Sequence, residues 1–227
     1  MPTLQDRLDH LLVEIDQLRS GRPVTLVAVS KTKPLSMLLE AYQAGQRHFG
    51  ENKVQEAQLK RPNIPEDAVL HLIGPLQKNK AKSCPPLFQW LHSLDRFDVA
   101  EKLNEKYEQA GLDLEVLVQV NLSGEETKSG LPGPESVQRF CESILPFERL
   151  KLRGLMTIGD PSLDESGNRR LFAQLRRLNE EIGQSLGITN TMEHLSMGMS
   201  HDWRWAIAEG ATMLRVGSTI FGGRVPL

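Results

Sequence analysis

Eight short apolar runs, most of them followed by a longer amphipathic stretch, constrain this chain more than any other feature of its sequence. The runs cover residues 25–29, 48–49, 71–73, 90–92, 114–120, 150–156, 192–195 and 213–216. Between them lie helical patterns such as 35–44, 96–110 and 168–186. The central runs, EVLVQV above all, are continuously apolar, as parallel strands covered on both faces require. Strand–helix alternation repeated eight times predicts an α/β fold of the closed (β/α)8 TIM-barrel type. A doubly wound open sheet shows the same alternation and is the alternative. The runs at 48–49 and 90–92 are weak strands on their own.

An amphipathic helix precedes the first run. Leu4, Leu8, Leu11, Leu12, Ile15 and Leu18 recur at helical spacing, and Gly21 and Pro23 end the pattern. The 227 residues suit one barrel with few insertions, so a single domain over 1–227 is expected. A charged share of 25% and a net charge of −2 give no electrostatic reason to expect nucleic acid or a membrane surface as partner. No run of about 20 apolar residues is present. The first residues mix acids and bases and do not resemble a signal peptide. Cys84 and Cys141 form no metal or redox motif, so a reduced, cytoplasmic setting is expected. The six histidines show no metal-ligand spacing, and His71, His92 and His194 are expected to be packed or hydrogen-bonded. Lys78, Lys80 and Lys82 read as a solvated helix face.

In a barrel the chemistry sits where strands end and loops begin. The polar and glycine-rich segments follow that rule, which predicts one polar pocket above an apolar interior. Lys31 ends the first run on the same alternating face as Val27 and Val29. Burial at the barrel mouth, with Lys33 two residues away, would favour the neutral amine that Schiff-base formation needs. Both lysines could equally be solvated rim residues. The seventh loop, residues 196–200, opens the next helix at Ser200, and the eighth, residues 217–218, is a small turn rich in backbone N–H groups. Barrels commonly bind phosphate with these two loops, although ordinary tight turns look the same. Ser200 is expected to cap the following helix. Arg215, inside an apolar strand, needs a partner: a carboxylate such as Asp202 or Glu193, or a ligand.

Taken together, VSKTKP (29–34), FGEN (49–52) with Gln55 and Glu56, IGPLQKNK (73–80), QVN (119–121) with KSG (128–130), LRGLM (152–156), LSMGMS (195–200), and RVGS (215–218) with IFG (220–222) resemble the pyridoxal-phosphate homeostasis family, also described as alanine racemase N-terminal-like. The resemblance implies a fold-type III barrel with no added β-domain and pyridoxal 5′-phosphate as cofactor. It implies that Lys31 is the Schiff-base lysine and that Asn52 lines the ring. Ser200, Gly217 and Ser218 would hold the phosphate with the backbone at Met199, and Arg215 would face the ring nitrogen. Ser218 stands where the family often has threonine, and its hydroxyl is retained. The implied role is cofactor and amino-acid homeostasis without evident turnover, as a monomer that contacts apo-enzymes transiently. A single-domain racemase-like enzyme, or another Schiff-base barrel, is the alternative. Against it, Tyr42 and Tyr107, the only tyrosines, fall in helical stretches away from the rim.

Overall fold

The structure is a computed structural model that describes residues 2–123 and 129–223. Lys128, quoted above in the fifth loop, lies outside the described residues.

The chain enters through α1 (Leu4–Leu18), whose start is sealed by Thr3 and Asp6, each side chain accepting from the other's backbone N–H. Leu4, Leu8, Leu11 and Ile15 form its buried stripe, which packs toward the later helices at 35–43, 203–208 and 218–221. Eight strands follow: β1 (Thr25–Val29), β2 (His48–Glu51), β3 (Val69–Leu72), β4 (Trp90–Leu94), β5 (Leu114–Asn121), β6 (Leu150–Met156), β7 (His194–Ser196) and β8 (Met213–Val216). Each pairs in parallel with its sequence neighbours, and β8 returns to β1 with Val27 beside Arg215, so the sheet closes into a barrel. The open-sheet alternative is thereby excluded. A two-residue strand, Leu131–Pro132, adds to β5 outside the barrel.

The crossovers are α2 (Leu35–Gln43), α3 (Val54–Lys60), a 3-10 helix (Lys78–Ser83), α4 (Phe97–Ala110), α5 (Pro134–Ile144), α6 (Glu165–Ser185) and α7 (Trp203–Ala208), and α8 (Ser218–Phe221) follows the last strand. The lysine-bearing face of 78–82 is thus a short 3-10 turn. The main core lies between sheet and helices, where Leu26, Ala28, Phe49, Leu70, Leu72, Leu91, Val116 and Val118 meet Leu38, Leu103, Phe172 and Leu175. Burying this layer is the principal stabilising term. Register at β6–β7 depends on Gly154, where any Cβ would lie 1.9 Å from the His194 carbonyl oxygen.

The barrel interior departs from the apolar filling expected of it. A small apolar cluster of Leu117, Met156 and Met213, with Trp90 against it, stands apart from the sheet–helix core. His71 and His92 are fully buried, and a continuous hydrogen-bonded file runs from His48 through His71 to His92. His92 then meets the Ser196 hydroxyl at 2.8 Å. β4 borders β3 and β5, and β7 borders β6 and β8, so this contact crosses the lumen. The polar filling is tolerated because its members satisfy one another. As expected, these histidines are hydrogen-bonded.

Burial holds His48 and His194 below the ordinary histidine range and His71 and His92 well below it. The unfolded chain therefore binds more protons than the barrel once the pH drops below about 6.5, and stability falls with pH there. Thermal melting followed from about pH 7.5 down to about pH 5 should show this loss, with a shallower slope in His71→Gln. A slope unchanged by that substitution would contradict the neutral file.

Candidate functional site

Lys31 leaves β1 at the barrel mouth, and the backbone on both sides of it is fastened. Before it, Ser30 donates its N–H to the Gly50 carbonyl and its hydroxyl to Glu51 Oε1 at 2.6 Å. The Ser30 carbonyl accepts from Lys60 Nζ at 2.9 Å. After it, Thr32 has φ 61°, a left-handed conformation that costs a β-branched residue about 1–2 kcal/mol. The Thr32 N–H donates to Glu56 Oε1 at 2.6 Å, which holds the strained turn.

Glu51 and Glu56 are joined by Lys60, whose buried ammonium lies 2.8 Å from Glu51 and 2.7 Å from Glu56. Burial pushes the Glu51 carboxyl up from its ordinary value, against the opposing pull of Lys60 and Ser30. Its Oε2 has no hydrogen-bond partner among the described residues. Lys33 is engaged differently: its Nζ donates to the carbonyls of Phe221, Gly222 and Gly223. Those three bonds use every donor of an ammonium group and tie Lys33 to the end of α8. Lys31 borders both cavities at this site, whereas Lys33 borders one of them.

Two cavities of about 280 and 320 Å³ meet here and share Lys31, Ile73, Met199 and Arg215. Ser200, Gly217 and Ser218 border the first, and Asn52 borders the second. All seven residues singled out from the sequence therefore surround one continuous space at the carboxyl ends of the strands. The Ser200 hydroxyl lies 3.4 Å from the Gly217 N–H, which brings the seventh and eighth loops side by side. A Cβ at Gly217 would meet the Val29 carbonyl oxygen at 3.2 Å, so glycine lets the eighth loop lie tight against β1.

Arg215 is buried with neither of its anticipated carboxylate partners. Its Nη1 donates to Ser196 Oγ at 2.6 Å and its Nη2 to the Thr157 carbonyl at 2.9 Å. Among the described residues no carboxylate forms an ion pair with it, and Glu193 is exposed. Burial draws its pKa down to about 10, against the raising influence of Asp202, so it remains a cation near neutrality.

The expected cap at Ser200 is corrected. Helix α7 starts at Trp203 with Asp202 as its N-cap residue. Two preceding turns send the N–H groups of Asp202 and Trp203 to the Met199 carbonyl, while Asp202 Oδ1 accepts from the Met199 N–H at 2.6 Å. That frees the Ser200 side chain for the cavity. The sequence reading also assigned no role to Ser30, Glu51, Glu56, Lys60 or Ser196. Glu51 and Glu56 lay inside quoted motifs, but a pairing with Lys60 rests on how α3 folds back over β1.

The fold and this ring of residues define a barrel of the alanine racemase N-terminal domain class, and the family model of that description matches residues 5–225. A pyridoxal phosphate homeostasis protein of Pseudomonas aeruginosa is 43% identical over 208 residues, covering 91% of this chain and 87% of that protein. The chain belongs to the pyridoxal phosphate homeostasis protein family. The structure of PipY from Synechococcus elongatus with pyridoxal phosphate bound superposes with a TM-score of 0.86 at 38% identity, covering 97% of this chain and all of that one. An alanine racemase of Clostridium difficile shares the fold alone, with 18% identity and a TM-score of 0.72, and this chain covers 57% of it. No helix of the described residues is long and apolar enough to cross a membrane.

Removing the cation from the Lys60 cluster should cost far more than neutralising one carboxylate at its edge. Lys60→Met leaves Glu51 buried without its counter-charge and is expected to lower unfolding stability by about 3 kcal/mol. Glu56→Gln should cost less than about 1 kcal/mol yet speed hydrogen exchange at the Thr32 amide. Chemical denaturation and exchange of the two variants check both statements. Equal losses would contradict the division of roles.

Proposed function

We propose that this protein binds pyridoxal 5′-phosphate in the joined cavities as a Schiff base on Lys31, and that it keeps and releases the cofactor without turning over amino acids. The observation that carries this reading is that an amine and a fixed cation, Lys31 and Arg215, border the same two cavities. The residues present suit the group. Ser200, Gly217 and Ser218 gather two hydroxyls and loop amides at one end of the space, the chemistry a phosphate dianion needs. Asn52 borders the other cavity, where it would line the ring.

When bound, the cofactor would supply an aldehyde and an electron-withdrawing ring. What the chain does with them follows from its own side chains. Arg215 is a donor only and stays charged, so beside a ring nitrogen it would disfavour the pyridinium. An unprotonated ring withdraws electrons poorly. Lys33 is committed to three carbonyls. Neither tyrosine is available as a base opposite Lys31: Tyr107 is buried and donates to the Phe88 carbonyl, and Tyr42 donates to Asp67. These features favour a carrier that hands the cofactor to apo-enzymes over the racemase-like alternative.

Borohydride reduction of the protein loaded with pyridoxal phosphate, followed by peptide mapping, should mark Lys31. Lys31→Ala should lose the visible absorbance band, and Lys33→Ala should keep it. Labelling at Lys33, or none, would sink the assignment. Rapid exchange of amino-acid α-protons in heavy water would favour the racemase.

A further inference from the structure

The histidine file and Arg215 share one atom, the Ser196 hydroxyl oxygen. Its contacts are His92 Nδ1 at 2.8 Å and Arg215 Nη1 at 2.6 Å. Arg215 can only donate, so Ser196 accepts from it. Among the described residues the hydroxyl hydrogen has one acceptor within reach, His92 Nδ1, and a buried hydroxyl seldom forgoes one. That single choice propagates. With Nδ1 accepting, neutral His92 carries its hydrogen on Nε2 and donates it to His71 Nδ1 at 2.9 Å. His71 in turn donates from Nε2 to His48 Nδ1 at 2.9 Å. Every hydrogen bond of the file therefore runs away from the pocket, and every histidine in it is the Nε2–H tautomer.

We propose that His48, His71 and His92 are positioning residues for Arg215, forming a one-way file that turns the Ser196 lone pair to the guanidinium and couples the pocket to the protonation of His48 at the opposite end of the barrel. His48 opens β2, at the end of the strands away from Lys31, and is half-buried, whereas His71 and His92 are fully enclosed. A second proton on His48 turns the nitrogen that accepts from His71 into a donor. Two donors then face each other across the 2.9 Å contact unless the file reverses. In the reversed file His92 Nδ1 donates to Ser196, whose oxygen then takes two donors while its own hydrogen loses its acceptor. The grip on Arg215 weakens as a result.

The charged and titratable groups around the file are few. Arg215 on β8 faces His92 from across the lumen, and His194 on β7 faces His71 and His92. Trp90 on β4 stacks on His71 at 5.7 Å. The pair of Glu115 on β5 and Arg153 on β6, together with Glu193, acts on His194. Arg215 and His194 both oppose a proton in the file, and no carboxylate contacts His48, His71 or His92 among the described residues.

This inference rests on the proposed cofactor site, and two readouts separate them. The first needs no cofactor: nitrogen-15 NMR of the imidazoles of the protein as purified should show Nε2–H tautomers at His71 and His92 at about pH 8. Nδ1–H at either would overturn the file. The second is the dissociation constant of pyridoxal phosphate by equilibrium dialysis. His92→Leu should bind it about tenfold more weakly, the worth of one charge-assisted hydrogen bond, and His92→Gln, whose amide both accepts and donates, should return to within about twofold of wild type. His48→Gln should flatten the acid side of the wild-type affinity profile between about pH 8 and about pH 5.5, since every other group of the pocket is common to both proteins. Unchanged affinity in His92→Leu, no rescue by His92→Gln, or superimposable pH profiles would overturn the coupling. If His92→Leu fails to fold, His48→Leu cuts the file at its half-buried end, and unchanged affinity there is equally fatal. A wild-type protein that binds no pyridoxal phosphate would refute the site and with it the coupling, whatever tautomers the imidazoles show.

Discussion

A buried guanidinium with no carboxylate in contact among the described residues is the constraint around which this barrel is arranged. Taking such a charge from water is costly, and the cost must be met by fixed dipoles where no counter-ion is present. Arg215 meets it with a hydroxyl from β7 and a carbonyl just beyond β6. The hydroxyl is in turn committed to a histidine on β4, across the lumen. One cation thus determines which polar groups occupy the interior of β3, β4 and β7, and in which direction they donate. The barrel gives up apolar filling there and relies on the sheet–helix layer for cohesion.

The opposite wall of the pocket is fixed by a second, separate network. Lys60 gathers Glu51, Glu56 and the Ser30 carbonyl, and through them the turn on either side of Lys31. The strain at Thr32 is confined to the residue after the lysine, where a carboxylate holds its N–H. Lys33, close in sequence, is spent on capping the last helix. Two lysines two residues apart therefore have different fates because one follows the interior face of β1 and the other turns toward α8.

Much of this was legible from the residues. The runs at 25–29, 150–156 and 213–216 coincide with β1, β6 and β8, because their apolar residues outweigh the few polar ones, Lys151, Arg153 and Arg215, that interrupt them. The weak runs at 48–49 and 90–92 are longer in the structure, reaching Glu51 and Leu94. Their polar residues, His48, Glu51, His92 and Ser93, mask strands when read for hydrophobicity alone. The site residues could be assembled because strand ends in a barrel share one rim. The partner of Arg215 could not, since both carboxylate candidates were reasonable by charge and neither comes into contact. The Lys60 cluster and the histidine file join residues whose proximity depends on closure of the sheet, which no local spacing encodes.

The central claim is that Arg215 keeps its proton and leaves the ring nitrogen of the bound cofactor without one. Nitrogen-15 NMR of the protein loaded with pyridoxal phosphate labelled at the ring nitrogen measures that protonation directly. A resonance in the range of neutral pyridine near neutral pH is expected, moving toward the pyridinium position when Arg215 is replaced by glutamate. A pyridinium resonance in the unaltered protein would contradict it.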